Sequence, residues 1–163
     1  EDAATRWAQG VVGNFARPPR GGDTDQIKAV ASGECAVALT NTYYLVRIMR
    51  SDKPADREMV ARLQVIWPDQ QGHGAHINVT GGGVVKHSRN REAAVRFLEY
   101  LASDEAQRYL ADGNNEWPAV PGVRIANPAL DALGAFKADD LPVDALGRSQ
   151  RAAATLIDRV GWR

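Results

Sequence analysis

Apolar residues recur at helical spacing from the start of the chain. Ala4, Trp7, Val11 and Phe15 in EDAATRWAQGVVGNF predict an amphipathic helix, closed by the Pro/Gly punctuation of RPPRGG. DTDQIKAVASGE predicts a second helix, capped by Asp23 or Thr24, with Ile27, Val30 and Ala31 inward and Gly33 closing it. CAVALT is nearly continuous apolar sequence, the pattern of a buried strand, and NTYYLVRIMRS follows as a helix. EMVARLQVIWP reads as a short helical piece and a strand, LQVIW, stopped by Pro68. AHINVTGGGVVK reads as a strand, a glycine break and a second short strand. Two helices are predicted in SRNREAAVRFLEYLASDEAQRYLADG. The first is capped by Ser88 or Asn90, with Ala94, Phe97, Leu98 and Leu101 inward; the second is capped by Ser103 and ended by Gly113. The Pro- and Asn-rich stretch that follows is mostly loop with one or two helical turns, and GRSQRAAATLIDRVGW closes as a helix. No internal repeat or low-complexity tract interrupts this order.

Strands alternating with helices predict an α/β fold, a few-stranded sheet flanked by helices. Three or four strand candidates are few for a free-standing sheet. The expectation is therefore that the sheet is shared, or that the chain is one part of a larger protein.

Composition narrows the function classes. The 163 residues are 44% hydrophobic and 25% charged, which suits one ordered domain. Lys plus Arg equals Asp plus Glu at 20 each, so the net charge gives no electrostatic case for nucleic acid or an anionic membrane. The cluster RNREAAVR is the solvated face of a helix. No apolar run approaches the ~18–20 residues of a membrane span, so no membrane insertion is expected. Cys35 is alone and flanked by apolar residues, so it reads as a small buried hydrophobe and leaves the redox compartment open. His73 and His76 in GHGAH have metal-like spacing but read as loop and strand-start residues, and His87 as surface. TGGG lacks the following Lys-Ser/Thr of a phosphate loop, and its glycines suit a bend. No nucleophile elbow is present, so the chain is not expected to be an enzyme. Trp117-Pro118 reads as a packing anchor.

The chemistry concentrates at TNTYYLVR. Thr40, Asn41 and Thr42 all cap helices well; with Asn41 as N-cap, Tyr43 and Tyr44 fall in the first turn. There, unpaired N–H groups and the helix dipole favour anions, phenolate included. A free phenol titrates near pH ~10, so only a strong Lewis acid removes its proton at neutral pH. Fe(III), a hard oxygen-seeking ion, meets that requirement. Arg47, at i+4 from Tyr43, shares its face and can stabilise a phenolate or bound oxyanion. The bland alternative is one core ring and one surface ring.

The residues also carry a resemblance. NFARPPRGGDTDQIKAVASGECAVALTNTYYLVRIMRS resembles the ferric-ion-binding periplasmic proteins of iron ABC transporters, which have the class II periplasmic-binding fold. The similarity continues through HINVTGGGVVKHSRNREAAVRFLEYLASDEAQRYLADGNNEWPAVPGV and LGAFKADDLPVDALGRSQRAAATLIDRVGW. It implies Fe(III) bound by the adjacent pair Tyr43 and Tyr44. Asn41 matches a position that in some members holds a synergistic anion such as carbonate or phosphate, and Arg47 one that can approach the iron. RPPRGGD departs from the usual RPPQGND: Arg20 replaces Gln and Gly22 replaces an Asn that can contact the anion, leaving Arg20 as a substitute cation.

The resemblance places residues 1–163 in the C-terminal part of a two-lobe protein. Residues 1–87 would form the ligand wall of the second lobe and residues 88–163 a mainly helical segment. The partners it implies are an inner-membrane ABC permease and the missing N-terminal lobe, with self-association of the fragment as a further option. It implies a periplasmic location, with the signal peptide outside this chain, and weak iron retention or none by the fragment alone. Two alternatives stand beside it. One is a transport protein for an oxyanion or other solute, using the tyrosines as hydrogen-bond donors near Arg20 and Arg47. The other is a non-catalytic interaction or sensor fragment, which the thin strand count favours.

Overall fold

Most predicted helices form, with ends set by contacts that the local sequence does not display. The computed structural model describes residues 2–162. In it α1 spans Asp2–Gly13, α2 Asp23–Ala31, α3 Thr42–Met49, α4 Pro54–Val60, α5 Arg91–Leu101, α6 Asp104–Asn114, α7 Pro128–Asp131 and α8 Val143–Arg159. Gly22, not Asp23 or Thr24, is the N-cap of α2, and its N–H donates to the Asp25 carboxylate at 2.9 Å. Ser103 caps α6 as expected, its hydroxyl accepting from the Ala106 N–H at 3.3 Å. The same helix runs through Gly113 and stops at Asn115, which takes the left-handed conformation at φ 60°. Asn is among the few side chains that tolerate it. Asn127 caps α7 through Leu130 N–H at 3.2 Å, and α8 begins at Val143, ahead of the predicted Gly147.

The core lies between α2, α3, α4 and α7. Ile27, Leu45, Val46, Ile48, Val60, Leu130 and Leu133 form it, with Tyr44, Met49, Leu63 and Trp67 packed around. The Trp67 indole N–H donates to the Leu133 carbonyl at 3.0 Å, and its ring stacks on Phe136 at 4.0 Å between centroids. Trp117 joins that cluster 5.4 Å from Phe136, so it is the packing residue expected of it. Arg50 ties the end of α3 to the end of α6. Its Nη1 donates to the Asp112 carbonyl at 2.9 Å, to Asp112 Oδ1 at 3.1 Å and to Asn115 Oδ1 at 2.7 Å. Trp7 of α1 and Phe15 just beyond it reach the chain's far end, 5.9 and 5.5 Å from the Trp162 ring. On α5, Ala94, Leu98 and Leu101 are half-buried, but Phe97 is exposed, against expectation. α5 packs on α6, and Gly82 approaches Leu98 so closely that a Cβ would lie 2.7 Å from Leu98 Cδ2.

The strand segments differ from expectation. CAVALT, LQVIW and residues 76–85 run as irregular chain without ladders among the described residues. The one β contact described is a parallel bridge, Ala75 with Ala138, made by Ala75 N–H to the Lys137 carbonyl and Asp139 N–H to the Ala75 carbonyl, both 2.8 Å. Gly74 allows that approach: its φ is 105°, and a Cβ would sit 2.6 Å from the Lys137 carbonyl oxygen. Val37, Leu39, Ile66 and Val85 are exposed, and Cys35 is only half-buried. A strand exists through its neighbour's hydrogen bonds, so a β-prone run without a partner stays unpaired.

Leu130, 2% exposed, and Phe97, 60% exposed, therefore predict opposite outcomes on truncation. Leu130→Ala is expected to cost about 2–5 kcal/mol. Phe97→Ala should stay within about 0.5 kcal/mol of wild type. Urea midpoints of the two variants measure both.

Candidate functional site

The tyrosine corner is built from two helix starts. Asn41 is the N-cap of α3, as its sequence predicts, with extended backbone at φ −74°, ψ 142°. Its side chain does not cap the helix. It turns to Asp23, the first residue of α2. Asp23 Oδ2 accepts from the Asn41 backbone N–H at 2.7 Å, Asn41 Nδ2 at 3.0 Å and the Thr40 hydroxyl at 3.1 Å. Asp23 entered the sequence analysis only as a cap for its own helix, and nothing local to it signals that it holds the next one.

From this corner Tyr43 and Tyr44 leave the first turn together. Both are half-buried, their ring centroids 4.3 Å apart and tilted by 38°. Neighbours in a regular helix point about 100° apart, and the helix start relaxes that divergence. Tyr44 packs against the core, so the bland expectation holds for one ring; Tyr43 lies beside it and not out in solvent. Arg47 places its guanidinium carbon 5.0 Å from the Tyr44 ring centroid. The sequence spacing paired it with Tyr43; the structure pairs it, at i+3, with Tyr44 as a cation–π contact.

The surroundings of Tyr43 push its phenol pKa above the ordinary value. The hydrogen bond with Tyr44 contributes most, followed by desolvation and the charges of Tyr44, Asp23 and Glu116. Glu116 was not singled out in the sequence. It follows Asn115, which Arg50 clamps, so a residue distant in sequence enters the site through a contact at the other end of α3. The corner is a pair of phenols with carboxylates acting on one of them. That field opposes a lone phenolate and favours an incoming cation.

The other expected residues lie apart. Arg20 is exposed; its carbonyl accepts from Gln26 Nε2 at 2.7 Å, and no described hydrogen bond or ion pair joins its guanidinium to the tyrosines. The loop before it is held by Arg17, 2.5 Å from Glu34 and 3.3 Å from Gln26 Oε1. His73, His76 and His87 are exposed. Among the described residues no group of three or more His, Cys, Asp or Glu side chains could hold a metal ion.

A family model described as bacterial extracellular solute-binding protein matches residues 1–138. Iron uptake protein A2 of Synechocystis sp. is 51% identical to the chain, over 100% of it and 47% of the relative. The solved structure of the Trichodesmium IdiA (FutA) protein in complex with iron and citrate ligands superposes with a TM-score of 0.93 at 49% identity, over 99% of this chain and 51% of that one. The ferric binding protein from Campylobacter jejuni superposes with a TM-score of 0.92 at 37% identity, over 100% of this chain and 51% of that one. The chain thus spans about half the length of the relatives it matches. These matches bear out the class II periplasmic-binding fold expected from the sequence.

Because the Tyr44 hydrogen bond is the largest cause of the raised Tyr43 pKa, Tyr44→Phe should let Tyr43 titrate at a lower pH than in the wild type. Phenolate absorbance, followed through an alkaline titration with Tyr43→Phe as the reference for assignment, measures the shift.

Proposed function

The chain belongs to the bacterial extracellular solute-binding proteins, and from that membership we propose that it is part of an ABC iron-uptake binding protein, with Tyr43 and Tyr44 as tyrosinate ligands of Fe(III). The observation that carries this is the convergence of the two phenol rings, 4.3 Å between centroids, in a chain about half identical to a relative named for iron uptake. The role is binding and release without catalysis. Fe(III) displaces both phenol protons, and the hard oxygen donors that result match the ion. Arg47, over the Tyr44 ring, offsets part of the phenolate charge. Asp23 and Glu116, whose charges act on Tyr43, add a negative field that attracts a trivalent cation.

A synergistic anion, carbonate or phosphate, fits at the same corner. Asn41 shares one N–H of its amide with Asp23 and keeps a second for an anion, and the α3 N-terminus faces the same place. Arg20, on the exposed loop before α2, is the substitute cation proposed for that anion. The chain spans about half of its relatives, so the remaining ligands are assigned to the other lobe of the whole protein, brought in by hinge closure. Delivery is then to an inner-membrane permease from the periplasm, the compartment named for the Serratia marcescens Fe(3+)-binding relative. Among the described residues no helix is long and apolar enough to cross a membrane. An oxyanion carrier fits less well, because an anion bound without Fe(III) beside it would meet the uncompensated charges of Asp23 and Glu116 that act on Tyr43.

Excess ferric nitrilotriacetate added to the chain should give a weak visible tyrosinate-to-iron charge-transfer band, absent from the Tyr43→Phe/Tyr44→Phe double variant. A band unchanged in that variant, or no band in the wild type, overturns the assignment. Acid should weaken binding, because the raised Tyr43 pKa means its proton competes more strongly with the metal as pH falls. The same titration followed at descending pH, with about two protons released per ion, checks the sign.

A further inference from the structure

We propose that Asp23 is the positioning residue of the tyrosine pair, tying the first turn of α2 to the N-cap of α3 so that both phenols project from a fixed corner. The proposal deepens the ferric assignment and rests on it for its purpose, though not for its geometry. A single carboxylate oxygen, Asp23 Oδ2, accepts three hydrogen bonds from two consecutive residues, at 2.7, 3.0 and 3.1 Å. Bonds to an ionised acceptor are about twice as strong as neutral ones. Asp23 is itself at the start of a helix, where the dipole favours its negative charge.

The other end of α3 needs no such help. Leu45, Val46 and Ile48 are buried in the core, and Arg50 fastens the C-terminal end to α6. Before Asn41, Val37 and Leu39 are exposed and their segment has no ladder among the described residues. Among the described residues the tie to Asp23 holds the direction in which the chain enters the helix. Asn41 gives up the ordinary side-chain cap of its own helix to make it. A cap of that kind ordinarily stabilises its own helix, so the exchange favours position over local helix stability. Tyr43 and Tyr44 lie two and three residues beyond Asn41, and a rotation at the corner would carry both rings with it.

The test labels the tyrosine rings with carbon-13 and assigns Tyr43 and Tyr44 by single Phe substitutions. In the wild type, the ring currents of the tilted pair, 4.3 Å between centroids, should displace their ring resonances from that of Tyr109, which is 80% exposed. Asp23→Ala should move both toward Tyr109 while circular dichroism and the urea midpoint still show a folded chain. Asp23→Asn, which keeps an acceptor oxygen but not its charge, should fall between. Ferric affinity, read from the charge-transfer band, should drop about 10- to 100-fold in Asp23→Ala. Ring resonances unchanged in both variants overturn the proposal. A weaker band with unmoved rings also overturns it, since Asp23 would then act by charge alone. If Asp23→Ala does not fold, the ring shifts of Asp23→Asn decide by the same criterion. A wild type without any band sinks the ferric assignment, and the ring shifts still judge Asp23.

Discussion

α3 is asked to be core and site at once. It has only eight residues, Thr42–Met49, and helices this short are marginal in water by themselves. Three of its residues, Leu45, Val46 and Ile48, are buried against α2, α4 and α7, and hydrogen bonds from other segments hold both ends. Asp23 holds the start, and Arg50 binds the finish to Asp112 and Asn115. The phenols stand in the first turn of a helix whose remaining freedom has been removed by packing one turn further on. Their spacing is inherited from the core, which is why a site made of two adjacent side chains can have a defined geometry at all.

The electrostatics follow from the same arrangement. Clamping Asn115 brings Glu116 into the field at Tyr43, and tying Asn41 brings in Asp23. Each hydrogen bond that shapes the corner therefore also adds negative charge around a neutral phenol. Arg47 supplies the balancing cation, but on the face of Tyr44. The result distinguishes the two rings. Tyr44 is packed against the core and paired with a cation, whereas Tyr43 has its proton held more tightly than in a free phenol. A cation able to take both must repay the proton held on Tyr43, which selects for high charge and hardness.

How much of this was legible depended on sequence separation. Asn41 as the N-cap of α3 and Ser103 as the N-cap of α6 are local signals, and both were readable. The tyrosine pair was readable as a corner because the cap and first turn are contiguous with it. Asp23 with Asn41, Arg50 with Asn115 and Glu116 with Tyr43 join residues that no local pattern relates. Phe97 failed for a related reason: helical spacing shows that a face is apolar, not whether a neighbour covers it. The runs read as strands likewise fail to find a ladder among the described residues, as expected of a sheet shared beyond this chain, since β propensity reports fit to a pleated, partnered surface and not an intrinsic backbone state.

That failure bears on the site. The run Cys35–Thr40 leads straight into Asn41, and it was expected to deliver the tyrosines from the end of a paired strand. Such a strand would fix the entry into α3 through its ladder, and Asp23 would then be one restraint among several. Among the described residues the run has no ladder, and Val37 and Leu39 project into solvent. Among the described residues, the three bonds to Asp23 Oδ2 are the side-chain contacts from another element that reach Thr40 and Asn41. At this corner a side chain from the preceding helix supplies the hydrogen bonds that hold the entry into α3 among the described residues.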